Sequence, residues 1–175
     1  ALYVAHNVRL TPLNVGGGQE RGLRSGTENV PGVIGFATAA VEAKTHLGGN
    51  RKKYQEMSRV FHQELSQLPA EIPVLFLGSP KHQLASFCPV SFPGLDAERL
   101  IYRLERRDIL VSTGAACAAN KGSKSHVLTA VGLDDSEIAG SLRISLGSTN
   151  TLDQVRQAAI ILREEVESEY QRIHR

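Results

Sequence analysis

The six residues Ser141-Leu142-Arg143-Ile144-Ser145-Leu146 alternate strictly between polar and apolar, which is the period of a strand with one covered face. Leu142, Ile144 and Leu146 form that face; Ser141, Arg143 and Ser145 form the other. If that second face is also covered, an arginine between two serines on it needs a carboxylate or phosphate, which its planar fork grips with two parallel bonds. Downstream, Thr151-Leu152-Asp153-Gln154 has the spacing of a capping box. The helix it opens carries Val155, Ala158, Ile161, Leu162, Val166 and Tyr170 on one side. Upstream, Ser125 to Val131 reads as a short helix stopped at Gly132.

Farther out, the pattern continues. Asp96 to Arg106 predicts a helix with Leu100, Ile101 and Leu104 inward, and Asp108 to Ser112 a buried strand after it. Val74 to Leu77 and Ser86 to Phe92 read as strands. Pro89 moves the second of these towards an edge or a bulge, because proline has no N–H for a ladder. Cys88, between Phe87 and Pro89, reads as packing. Tyr54, Met57, Phe61, Leu65 and Leu68 mark a helix ending at Pro69, with Gly48-Gly49 as a break before it. Asn29 is a good N-cap for a preceding helix, with Pro31 in its first turn. There Val30, Val33, Ile34, Ala37 and Val41 form a stripe expected to be core. Ala1 to Val4 is a short apolar strand, and Val8 to Val15 alternates loosely. Strands and helices alternating irregularly predict an α/β or α+β layer.

Composition bounds the function. The chain has 175 residues, 41% hydrophobic and 22% charged, enough for one domain, or one domain plus part of another. Twenty basic against 18 acidic residues leave +2, no field to attract nucleic acid, and aromatic residues for base stacking are scarce. The two cysteines, Cys88 and Cys117, form no C-x-x-C pair, which argues against a zinc knuckle or disulfide framework and for a reducing cytoplasm. No stretch has the length of a membrane span, and the opening lacks the layout of a signal peptide. It opens like the middle of a strand, as the downstream part of a longer protein would.

Two stretches carry chemistry. Val111-Ser112-Thr113-Gly114-Ala115-Ala116-Cys117-Ala118-Ala119-Asn120 sets a cysteine among residues too small to pin the backbone. Cys117 reads either as a thiol on a movable loop or as a small buried cysteine. Gly16 to Asn29 holds five glycines in eleven residues, Gly16 to Gly26. Neither the Walker spacing nor G-x-G-x-x-G fits it. Arg21, Arg24, Ser25 and Thr27 nonetheless offer cations and hydroxyls to an anion, next to the positive end of the following helix. A glycine-rich interdomain loop is the equal alternative.

Together, Gly16 to Asn29, the Ser-Thr-Gly-Ala-Ala-Cys loop with its Ser-His-Val-Leu helix, and Ser141 to Gly147 resemble the C-terminal half of class V aminotransferase-type enzymes. The nearest group is the cysteine desulfurases with the cysteine on a long loop. The resemblance covers nearly the whole chain. It implies a fold type I pyridoxal phosphate enzyme with an α+β small domain, working as a cytoplasmic homodimer. Such an enzyme takes sulfur from L-cysteine, leaves alanine and passes a persulfide to a sulfur-acceptor protein, for iron–sulfur clusters or thionucleosides. Selenocysteine lyases resemble the same motifs, and a non-catalytic interaction module keeping the fold is the alternative outside enzymes. By the same resemblance Cys117 matches the persulfide-forming nucleophile, Arg143 the clamp on the substrate carboxylate, and Thr27 the hydroxyl reaching the cofactor phosphate of the neighbouring subunit. No role for His126 follows from it. Residues 1–47 would be the trailing part of the large cofactor domain and 48–175 the small domain.

The departures are specific. The family's Schiff-base lysine, ring-stacking histidine and pyridine-facing aspartate lie upstream of a segment like Ala1 to Val4. None of Lys44, Lys52, Lys53, Lys81, Lys121 and Lys124 looks like a substitute for that lysine. The fragment alone is therefore expected to be inactive and to bind no cofactor covalently. Its tail, ending Arg172-Ile173-His174-Arg175, is shorter than in relatives that serve iron–sulfur scaffolds, and Pro89 stands where asparagine is common.

Overall fold

Residues 1–79, 81–113 and 125–175 are described by the structure, a computed structural model. They fall into two units, Ala1–Leu47 and Gly48–Arg175. In the second, β1 (Leu75–Phe76), β2 (Phe87–Ser91), β3 (Ser112–Thr113) and β4 (Ser141–Ser145) form one antiparallel sheet in the order β1-β2-β4-β3. The helices are α1 (Val30–Leu65), α2 (Ala97–Glu105), α3 (His126–Ala130), α4 (Asp135–Ala139) and α5 (Leu152–Ile173). This is the expected α+β arrangement.

The alternation that predicts β4 is also what builds the core. Leu142, Ile144 and Leu146 are buried beside Cys88, Val90 and Phe92 of the β2 stretch. Met57, Phe61 and Leu65 of α1, Leu100 and Leu104 of α2, and Val155, Ala159, Leu162 and Val166 of α5 complete the cluster. Each such side chain contributes about 1.5–3 kcal/mol by leaving water. The capping boxes fix where the helices start: Gln154 N donates to Thr151 Oγ1 and Thr151 N to Gln154 Oε1, with Asp134 and Glu137 doing the same for α4. Where α4 ends, buried Ser91 and Ser141 both donate to Glu137 O, at 2.6 and 2.7 Å. Gly140 is required there, because a Cβ would lie 2.1 Å from Phe92 O.

Several expectations are corrected. Pro89 lies in an inner strand. Leu146 N donates to Ser86 O and Phe92 N to Gly140 O, so even-numbered residues of the stretch face β4. Pro89 therefore turns its missing N–H towards two-residue β1, where its own O accepts from Leu77 N. Gly48-Gly49 does not break α1, which runs on to Leu65. Two helical glycines cost only about 1 kcal/mol each, less than the packing of Met57, Phe61 and Leu65 returns. The strand expected at Asp108–Ser112 shrinks to Ser112–Thr113. Asp108, with φ 59, turns the chain, and Leu110 is 82% exposed.

In the first unit, Ala1–Leu47, no residue is buried. Ala1–Val4 and Val8–Val15 form no strand, since an extended segment needs a neighbour to take its backbone bonds. Gly16 to Asn29 is a loop with one 3-10 turn, Glu20–Gly22. The stripe Val30, Val33, Ile34, Ala37 and Val41 is helical as expected, yet it is exposed; in this unit no element covers it.

Candidate active site

Arg143 sits at the centre of β4, cross-strand from Ser112 on one side and Pro89 on the other. Its Nε donates to Ser112 Oγ at 3.0 Å. The face of the sheet opposite the core is closed by α4 only at Ser91 and Ser141; Arg143 and Ser145 remain exposed. Arg143 has no ion pair among the described residues, so both terminal nitrogens of its fork remain for an acceptor from outside. The condition attached to the arginine, a covered face, is thus not met within this unit.

β3, beside Arg143's strand, leads into residues 114–124. Cys117, Lys121 and Lys124 lie outside the described residues, and so does the movable-loop reading of that stretch. The far end is fixed: Ser125 is buried and its Oγ accepts from Leu128 N at 3.3 Å, capping α3. His126 follows, exposed. Cys88 is fully buried, as packing requires, with its Sγ donating to Ser58 Oγ at 3.4 Å. Burial pushes its thiol pKa up, and the Ser58 contact partly offsets that. It is a poor nucleophile.

The Gly16–Asn29 loop is held largely by its own groups. Ser25 Oγ accepts from Gly18 N, Gly26 N donates to Gln19 Oε1, and Arg24 Nη1 donates to Thr27 O at 2.6 Å. Arg24 and Ser25 are thus engaged in shaping the loop. Arg21, at φ 60, and the Thr27 side chain are exposed and have no partner among the described residues. The helix start is less open than expected. Val30 N donates to Glu28 O, Gly32 N to the Asn29 side chain and Val33 N to Asn29 O. With Pro31 between them, the first turn keeps no free N–H for an anion. A phosphate here would be met by the Thr27 hydroxyl and arginine charge, a donor set that fits it. Of the lysines, Lys53 is half-buried and its Nζ donates to Ser148 O at 2.6 Å, while Lys44, Lys52 and Lys81 are exposed.

One cluster escaped the sequence reading. Glu169 is fully buried and bonded to Arg172 and Arg99 at 2.7 Å each, while Glu165 takes Arg103 at 2.5 Å and Arg107 at 3.2 Å. The Arg172 bonds, and after them Arg99, outweigh burial and hold the Glu169 carboxyl down to about 2. The signal was present as Arg99, Arg103 and Arg107 at every fourth position, facing Glu165 and Glu169 at the same interval. It ties α2 and the turn after it to α5, with no reacting partner among the described residues, so it serves the fold.

The class V aminotransferase family matches residues 2–157, and the chain belongs to that family. Solved aminotransferases at 17% identity share the fold, with TM-scores of 0.50, and this α+β sheet with its helices is part of it. The particular relatives are desulfurases. The chain is 35% identical over 167 residues to the cysteine desulfurase IscS of Methanosarcina thermophila, covering 95% of this chain and 41% of that protein. It is 37% identical over 161 residues to cysteine desulfurase 2 of Trichormus variabilis, covering 90% and 39%. A solved NifS-like protein superposes with a TM-score of 0.78 at 32% identity, over 95% of this chain and 41% of that one. The chain thus spans about two-fifths of the relatives' length, corresponding to a C-terminal part. Among the described residues no helix is long and apolar enough to cross a membrane.

Proposed function

We propose that the chain is part of a cytoplasmic cysteine desulfurase, with residues 1–47 trailing the cofactor domain and 48–175 forming the small domain. The observation that carries this reading is Arg143, a guanidinium with an open fork on the bare face of β4. It holds the α-carboxylate of L-cysteine there, fixing which end of the substrate reaches the thiol. In sequence, Cys117 follows four residues after Thr113, whose cross-strand neighbour is Leu142. The Cys117 sulfur gains a bond to the substrate sulfur, the substrate C–S bond breaks with its pair left on carbon, and one thiol proton ends on the new methyl group of alanine. Bound pyridoxal phosphate supplies the electron sink for that pair. Thr27 touches the cofactor phosphate, across the interface of a homodimer, and Cys117 then passes its outer sulfur to an acceptor protein. The lysine that would hold the cofactor is not among those of this chain, so the chain alone is inactive.

In a desulfurase completed to the length of its relatives, Cys117→Ser abolishes protein persulfide, while Cys88→Ser leaves turnover largely intact. Arg143→Ala raises KM for cysteine, lowering kcat/KM about ten- to a hundredfold, the weight of a charged hydrogen-bond pair. Persulfide on the Cys117→Ser protein, or unchanged kinetics with Arg143→Ala, would remove those residues from the reaction.

A further inference from the structure

A groove of about 450 Å³ runs between the second half of α1 and the β1 edge of the sheet. Gln55, Arg59 and His62 line its helix side and Phe76 its strand side, with Leu84 closing one end. No carboxylate lines it, and Arg59 has only neutral Gln63 as a partner, at 3.2 Å, among the described residues. Its charge is therefore uncompensated.

Behind the wall a polar chain orients the histidine. Cys88 Sγ donates to Ser58 Oγ at 3.4 Å, and Ser58 Oγ lies 3.3 Å from His62 Nδ1. Burial lowers the His62 pKa, opposed by a bond to the Ser58 backbone. Phe76 packs edge-on against that ring at 4.7 Å.

The strand side offers backbone as well. Leu77 N donates to Pro89 O, and Leu75 and Phe76 are paired with Ser91 and Val90. In an antiparallel ladder the bonded residues alternate, so Leu75 and Leu77 face β2 and Phe76 turns its N–H and C=O outward. β1 is an edge strand, and those two groups have no partner among the described residues. Phe76 is 40% and Leu84 76% exposed, leaving apolar surface on either side of the open backbone.

We propose that this groove binds an extended acidic segment of a partner protein, which adds to β1 through the Phe76 backbone and sets a carboxylate against Arg59, beside the His62 ring. Edge addition supplies affinity through the main chain, and the alternate side chains supply selectivity. An apolar side chain two positions from the carboxylate falls on the same face, where Leu84 and the Phe76 ring meet it. The acidic character follows from the groove's uncompensated cation and lack of any acid. None of this depends on the desulfurase reading or on Cys117.

The test titrates the 175-residue chain, at low salt and followed by amide NMR, with Ac-Glu-Thr-Val-Thr-Glu-Thr-NH2, which sets glutamate and valine two positions apart on one face, and with its lysine counterpart. The acidic peptide is expected to shift Phe76 and the Gln55–His62 face saturably, and the lysine peptide to leave them unmoved. Arg59→Glu should weaken binding about tenfold or more, and Arg59→Gln by less, with the rest of the spectrum preserved. Equal binding of both peptides, or full binding by Arg59→Glu, overturns the proposal. Sodium acetate giving the same shifts at equal carboxylate concentration would replace it with a small-anion site. Dimerisation through Phe76 without peptide would replace it with self-association.

Discussion

The two halves of α1 follow one sequence rule and end in opposite surroundings. Val30, Val33, Ile34 and Val41 recur at helical spacing and are all more than half exposed, while Met57, Phe61 and Leu65 recur at the same spacing and lie in the core. Periodicity states that a face is apolar; it does not name what covers it. In the second unit the cover is the sheet with α2 and α5. In the first, nothing within the unit supplies one, in a chain spanning two-fifths of its relatives' length.

The largest expected effect sharpens that contrast. Phe92→Ala should cost about 3–5 kcal/mol in urea unfolding, because its ring is fully buried and leaves a cavity. Val33→Ala should change stability by less than about 0.5 kcal/mol, as at an exposed position. Equal losses would mean that the first half of α1 is packed after all. Glu169→Gln should cost roughly 1–3 kcal/mol, the penalty for removing a charged acceptor from buried donors. Its folded pKa of about 2 lies below the ordinary glutamate value of 4.5. The stabilisation is therefore complete above the unfolded value and is lost as pH falls from 4.5 through 2. The gap between wild type and Glu169→Gln should close over that window in pH-dependent unfolding. A constant gap would place the stabilisation elsewhere. The smallest effect falls on the boundary itself. Gly48→Ala and Gly49→Ala should each stabilise by about 0.5–1 kcal/mol, since no atom lies within 4 Å of either added Cβ. A lower urea midpoint would mean that the helix needs those glycines.

What the sequence made legible was local. The β4 alternation, the Thr151 capping box and the Asn29 cap appear as read, because each is settled within a few residues. What was misread depended on distant neighbours. Asp108–Ser112 had strand composition, yet the turn at Asp108 leaves only Ser112 and Thr113 in the ladder. Pro89 spoke for an edge, and its harmlessness inside the sheet depends on which neighbour its nitrogen faces. For the candidate site, the need of Arg143 for an acceptor could be read only on the condition of a covered face, and the open face the structure gives it could not be read from the sequence. The buried Glu165 and Glu169 were hidden because a carboxylate on a helix reads as solvated until its arginines on another helix are in view.

Pro89 also has a consequence for how the sheet assembles. If β2 slid by one residue along β4, odd-numbered residues would face β4, and the proline would leave a missing donor in the longest pairing of the sheet. The same slip would turn Cys88 and Val90 outward and Ser91 inward. One ring thus biases the alignment of the sheet: it removes no bond from β4 in the native register and removes one in the nearest wrong register.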